Sequence, residues 1–440
     1  MDKLFRQIIA FAVFLSLLTS TSSLIINYSE GLTQNSWPMF RHDEQHSGFS
    51  DSIGPVTNQT LWKFTTGGQV WSSPAIADGI VYVGSFDHKI YALNSSTGDA
   101  IWTFTTEGEV YSSPAVSDGI VYVGSFDHNV YALNASSGIQ LWNYTTGGAV
   151  FSSPTVSNGT AFFGSDDNFI YALNAQSGQL LWMYKTGDKV QSSAAVSDGL
   201  VYVGSNDTCV YALNATSGNK VWLFPTDSYV ASSPATDGGI IYVGCFDNKT
   251  YALNASNGAL IWNCTTGYDI CVQSSPAVYD DLVYTGSSGL ISYSMSAPSN
   301  LNETPSGNKI FALNKTTGTT VWNYTTGGGV WSSPAVSSNS VYVGSGDGKL
   351  YALNSLTGVV QWTYQTNGAI YSSPAIASGA AYVGSSDNTV YAIGLSSQAT
   401  NSSKNSSVLI IIAVAVIVTF LAVAILLIKR KQPKTLLSNL

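Results

Sequence analysis

The residues with the clearest capacity for chemistry occupy one recurring place. They stand directly before the string Ser-Ser-Pro-Ala or a close variant of it, which begins at Ser72, Ser112, Ser152, Ser192, Ser232, Ser274, Ser332 and Ser372. Flanking residues barely change between copies, yet this position reads Trp71, Tyr111, Phe151, Gln191, Ala231, Gln273, Trp331 and Tyr371. Five aromatic side chains in succession, from Trp331 through Tyr371, Trp71 and Tyr111 to Phe151, offer stacking faces for a sugar, a peptide side chain or a planar cofactor. Packing between neighbouring units would use the same residues, and the sequence leaves both readings open.

Other polar groups have plainer explanations. His42 and His46 are four apart and enclose Asp43 and Glu44, a spacing that suits a metal, but no third strong ligand accompanies them. The segment reads instead as a cap packed on the main domain, anchored by Trp37 and Phe40. His88 and His128 fall at equal turn positions and are expected in solvent. Asp87, Asp127, Asp167, Asp207, Asp247, Asp347 and Asp387 recur at one turn in seven of the eight units and could be imagined as a ring of calcium ligands. An Asp at such a turn more commonly bonds its own backbone. No metal site is assigned. Of the four cysteines, Cys264 and Cys271 flank a loop two residues longer than its siblings and are candidates for a disulfide. Cys209 and Cys245, in consecutive units, could pair as well.

These residues must be positioned by a repeat. The Ser-Ser strings are spaced 40, 40, 40, 40, 42, 58 and 40 residues apart, and Trp62, Trp102, Trp142, Trp182, Trp222, Trp262, Trp322 and Trp362 recur in the same phase. Within residues 70–104 the pattern predicts four short strands, from Val70 to Ala77, Ile80 to Gly84, Lys89 to Leu93 and Ala100 to Phe104. Turns at Asp78-Gly79, Asp87-His88 and Asn94 to Gly98 separate them. Four antiparallel strands every 40 residues define a propeller blade. The eighth unit lacks its Trp strand, and an orphan Trp strand, Leu61 to Phe64, precedes the first. Pairing the two closes an all-β, eight-bladed β-propeller of four-stranded blades over 59–394 and removes a free edge.

The run Ala92-Leu93-Asn94-x-x-Thr97-Gly98-x-x-x-Trp102, repeated as far as Ala352 to Trp362, resembles the tryptophan-docking motif of the PQQ-like (quinoprotein-type) propeller repeat, with Asn where that motif usually has Asp. The resemblance implies that each of the eight tryptophans ties neighbouring blades together. It says little about activity, because that family holds quinone-dependent dehydrogenases as well as non-catalytic scaffolds such as BamB. An oxidoreductase using PQQ with calcium is the alternative the resemblance offers. Against it, the adjacent Cys-Cys pair of those enzymes is missing and no C-x-x-C-H haem motif is present. BamB itself is departed from too, since no Cys follows the leader to accept a lipid.

Both ends carry membrane signals. Residues 1–23 read as a signal peptide, with Lys3 and Arg6, an apolar run from Ile8 to Leu18 and then small residues. A capping segment (24–58), the propeller (59–394) and a linker (395–407) follow. Residues 408–428 hold no charge and predict one transmembrane helix. The basic tail, 429–440, is expected in the cytoplasm. Without Asp2 and the basic residues of leader and tail, 11 Lys and Arg face 25 Asp and Glu, a net charge near −14 that argues against nucleic acid. Sixteen N-x-S/T sequons permit glycosylation.

A further departure from the repeat is an 18-residue insertion in the sixth unit, around Leu290 to Asn308, where a long polar loop on a rigid scaffold suits a partner. The expected protein is therefore a single-pass cell-surface binding or scaffold module for protein or glycan partners.

Overall fold

The computed structural model describes residues 36–266, 274–288, 307–337 and 339–394. Outside them lie the leader, the start of the cap, Cys271, Gln273, most of the insertion, the linker, the expected span 408–428 and the tail.

The repeat folds as its turns dictate. In the first blade Ala75–Ala77, Ile80–Ser85, Lys89–Asn94 and Ala100–Thr105 pair antiparallel in that order. Asp78 and Gly79 sit at φ 50° and 76°, the double positive φ that a type I′ hairpin needs and that Asp-Gly supplies at little cost. At the third turn Asn94 Oδ1 accepts the amides of Ser96 (2.9 Å) and Thr97 (3.1 Å), which stops the strand.

Eight such sheets form, and the eighth is built from both ends of the described chain. Ala375–Ala377, Ala380–Ser385 and Thr389–Gly394 are completed by Thr60–Thr65. Trp62 lies opposite Ala392, with a bulge between Thr60 and Trp62 where the other blades carry theirs. Thr389–Gly394 is thus an inner member of its sheet, flanked on both sides. The described residues contain no α-helix, so none is long and apolar enough to cross a membrane.

The apolar core lies between blades. Tyr202, Val210, Trp222, Val230, Val243 and Tyr251, drawn from the fourth and fifth blades, bury together. Gly204 permits the approach, since a Cβ there would stand 2.4 Å from Val230 Cγ1 of the next blade.

Two expectations need correction. The first strand spans Ala75–Ala77 and not Val70 to Ala77. Upstream, Val70 donates its amide to Ser385 of the adjacent blade (3.1 Å) and Ser72 Oγ accepts the Gly84 amide (3.0 Å), so these residues leave the ladder to bind their surroundings. The seventh blade has five strands, because Phe49–Ser50 of the cap adds in parallel to Ala335–Ser337.

Candidate functional site

Three layers stack along the ring axis. The first is the cap, which runs along the inner strands of successive blades. The inner strands are three residues long, and the amide at the middle of each needs an acceptor. Trp37 exchanges two hydrogen bonds with Ile76 (2.8 and 2.7 Å), and Pro38 accepts from Val116. Glu44, Gln45, Ser47 and Gly48 then accept from Val196, Thr236, Val278 and Val336 at 2.7–2.9 Å. The segment therefore winds around the axis from the first blade to the seventh.

Its side chains fill the interior. Trp37 and Met39 are buried, whereas Phe40, expected as an anchor, remains partly exposed with its ring edge-on to His46. Arg41 is wholly buried and reaches the carbonyls of Pro334 and of Pro276 (2.9 Å). Burial pulls its pKa down to about 9, which Asp43 partly opposes, and the guanidinium stays charged at neutral pH. His46 is equally buried. Its Nδ1 meets the Pro234 carbonyl (3.2 Å) and its Nε2 meets Thr155 Oγ1 (3.0 Å), while desolvation lowers its pKa to about 4. Thr155 stands where most repeats have Ala, a departure that this contact explains.

The second layer is a closed girdle of serines. Ser73 N donates to Ser113 Oγ, Ser113 N to Ser153 Oγ, and so on through Ser193, Ser233, Ser275, Ser333 and Ser373, whose amide returns to Ser73 Oγ. All eight bonds measure 2.9–3.0 Å.

The third layer is the aromatic arc. Trp71 sits at its centre, with ring centroids 4.7 Å from Tyr371, 5.5 Å from Tyr111 and 6.4 Å from Trp331. Tyr111 continues to Phe151 at 5.2 Å, and Trp331 lies 5.0 Å from Tyr371. Phe86 and Phe126, which the sequence reading did not single out, pack behind Tyr111 at 4.0 and 4.4 Å. All five arc residues are half-buried, so the rings both pack on one another and present surface. Burial raises the Tyr111 hydroxyl pKa to about 12, helped by Glu109. Beyond Phe151 the mouth turns polar, where Gln191 Nε2 bonds Asp166 (3.1 Å) and Lys189 pairs with the same carboxylate (3.0 Å). Gln273 lies outside the described residues.

The remaining candidates serve the scaffold geometrically. Every tryptophan of the series but Trp362 donates its indole N–H to the next blade, as Trp102 to Ala135 O (2.8 Å) and Trp182 to Ala215 O (2.9 Å). Trp62, Trp142, Trp222, Trp262 and Trp322 do likewise. Trp362 finds Pro55 O of the cap (3.2 Å), which supplies the carbonyl at the seam.

Six of the seven aspartates make their Asx turns and something more, while Asp87 Oδ1 is buried without a partner. Asp167 Oδ1 accepts the Phe169 amide (3.1 Å), while Oδ2 accepts the Tyr171 hydroxyl and the Gly147 amide, both at 2.7 Å. Each carboxylate thus fastens its turn to the loop leaving the previous blade, and one per blade cannot converge on an ion. Among the described residues no three His, Cys, Asp or Glu gather to hold a metal. His42 bonds Asp43 while His46 turns inward, and His88 and His128 are exposed. Cys209, Cys245 and Cys264 are free thiols, so the Cys209–Cys245 pair is not formed. The cysteine expected to bridge Cys264 lies outside the described residues.

Fold and axis together define an eight-bladed β-propeller of the PQQ-like repeat class. The chain belongs to the family described as the β-propeller of the beta-alanine-activating enzyme, whose pattern matches residues 160–419, more than half of its length. The pattern of outer membrane protein assembly factor BamB matches residues 51–189. No curated protein matches the sequence. Among solved structures, BamB from Moraxella catarrhalis is 16% identical over 78% of this chain and 98% of its own, with a TM-score of 0.63. Quinohemoprotein alcohol dehydrogenase from Comamonas testosteroni is 17% identical over 82% and 81%, with a TM-score of 0.68. The computationally designed Ika8 protein is 18% identical over 79% and 100%, at 0.64. At such identities the likeness is one of fold.

Proposed function

We propose that this propeller is a non-catalytic docking module for a protein or glycan partner, exported and held at the cell surface by the span at 408–428. The observation that carries the reading is the aromatic arc, a continuous half-exposed surface of Trp, Tyr and Phe on a rigid ring. Trp and Tyr dominate the energetics of protein interfaces because they bring large area at low entropic cost. Trp37, Met39, Arg41 and His46 of the cap are buried against the blades, which adds to a rigid platform for docking.

A quinone-dependent oxidoreductase is the second reading, supported by likeness of fold to quinohemoprotein alcohol dehydrogenase. The described residues do not fit a calcium-bound quinone, since the repeated aspartates are tied one per blade to tyrosines and amides. Purified protein mixed with the quinone and calcium should show neither a new absorbance band nor a rise in melting temperature.

The test of docking is cross-linking on intact cells, comparing the wild type with Trp331→Ala and Tyr371→Ala. Specific adducts should weaken in both variants while melting temperatures stay close to wild type. Adducts of undiminished yield would retire the arc. Anchoring is tested separately, since an epitope tag after Leu440 that antibody reached on intact cells would reverse the orientation.

A further inference from the structure

The outer rim of the ring is guarded unevenly. The fourth strand of every blade is the last in its sheet, so its far side presents unpaired N–H and C=O groups on which another chain could add. Lys63, Lys185 and Pro225 stand exposed on the outer strands of the eighth, third and fourth blades, and these residue types discourage such pairing. In the seventh blade Asn58 of the cap donates to Thr363 O (2.9 Å) and takes up one carbonyl of the strand. Leu260–Thr265 and Thr320–Thr325, in the fifth and sixth blades, have neither charge nor proline, and Ile261 and Val321 are exposed on them at 43% and 51%. Each carries instead a sequon one residue past its tryptophan, Asn263-Cys264-Thr265 and Asn323-Tyr324-Thr325. Ala100–Thr105 and Gln140–Thr145 of the first and second blades are uncharged too, and the second has a sequon at Asn143.

Geometry sorts the sequons. Asn94, Asn134, Asn214, Asn254 and Asn314 are half-buried, and each holds its Oδ1 against two amides of its own turn. Asn206 and Asn248 are half-buried as well, with Oδ1 shut off from solvent. Three exposed asparagines spend their Nδ2: Asn58 on Thr363 O, Asn143 on Asn129 Oδ1 (3.1 Å) and Asn158 on Ser157 Oγ (3.3 Å). Asn263 and Asn323 are exposed, and neither carboxamide makes a hydrogen bond among the described residues. Thr265 and Thr325 are exposed beside them. At these two sequons the amide nitrogen and the hydroxyl are both open to a transferring enzyme.

We propose that Asn263 and Asn323 carry N-linked glycans, which shield the apolar edges of the fifth and sixth blades where other blades use Lys or Pro. In the transfer, Nδ2 attacks the anomeric carbon of a lipid-linked oligosaccharide phosphate. The N–C bond forms as the bond from that carbon to the phosphate oxygen breaks, one amide proton passes to a base of the transferase, and the lipid phosphate leaves. A glycan is bulky and hydrated, so it keeps a second strand off the edge. This rests on the chain being exported, because sequons are acceptors on secreted chains.

The experiment isolates the full chain from the membranes of the cells that make it and maps its peptides by mass spectrometry. Peptides holding Asn263 and Asn323 should carry added masses built from sugar units. Thr265→Ala and Thr325→Ala should each lose the added mass at their own site, and Thr265→Ser and Thr325→Ser should keep it. The chain with both alanines should melt close to wild type yet elute from gel filtration as larger species, and Asn263→Gln combined with Asn323→Gln should do the same. Unmodified Asn263 and Asn323 would overturn the proposal, and double variants that elute as the wild type does would overturn the shielding. A membrane-impermeant biotin reagent on intact cells separates the causes. Unmodified asparagines on a biotinylated chain would leave export standing and remove the glycans, whereas unmodified asparagines on an unlabelled chain would remove both.

Discussion

Tryptophan plays two roles in this chain, and single substitutions separate them. Trp182 is buried against the fourth blade, its indole bonded to Ala215 O, and its ring fills the space beside Gly218. Trp182→Ala should cost about 3–5 kcal/mol, because a sealed cavity and an orphaned carbonyl both result. Trp71 is half-exposed, so Trp71→Ala should cost about 1–2 kcal/mol, mainly from lost ring contacts. Denaturant melts giving the reverse order would show that the arc is core. His46 makes a third prediction at this scale. Its folded pKa of about 4 lies below the ordinary value of 6.5, so the unfolded chain takes up the proton first. Stability is then fully present above pH 6.5 and declines as pH falls toward 4, by up to roughly 3 kcal/mol. His46→Gln should flatten that slope, and a slope unchanged by the substitution would assign it elsewhere.

Strands and turns were the part of the molecule most legible in the sequence. Asp78-Gly79 specified its hairpin through φ, and the orphan strand around Trp62 pointed to closure because a blade without a fourth strand has a free edge. Ser73 shows what was hidden. Nothing in a Ser-Ser-Pro string says that one hydroxyl will accept an amide 40 residues away, since the bond exists only once eight blades set the angle between neighbours. The strand Phe49–Ser50 was hidden for a related reason, being short and paired with a segment 287 positions further along. At the site, the five arc residues could be read as variation against a constant background, whereas Phe86 and Phe126 took on a role only once the fold set them behind Tyr111. The girdle yields its own prediction. Ser153→Ala removes the acceptor of the Ser113 amide and should cost about 1–3 kcal/mol, with faster hydrogen exchange at Ser113. An amide at Ser113 as protected as before would mean that the bond contributes nothing.

Eight nearly equivalent blades have no intrinsic beginning, and the cap gives them one. Arg41 and His46 address particular blades through Pro276, Pro334, Pro234 and Thr155, so the ring is held in one register relative to its N-terminal segment. Replacing residues 36–50 by a Gly-Ser stretch of equal length should lower the melting temperature. The amides of Ile76, Val116, Val196, Thr236, Val278 and Val336 should then exchange faster than those of the outer strands. Unchanged protection at these six would deny the cap any part in stabilising the ring. The way the chain leaves the eighth blade bears on mechanics. Thr389–Gly394 lies between Ala380–Ser385 and Thr60–Thr65, so tension arriving from beyond Gly394 meets two ladders of hydrogen bonds loaded in shear. A strand at the rim would be peeled one bond at a time, but this one must break both ladders together, and the seam that closes the ring is also the joint best placed to bear a pull.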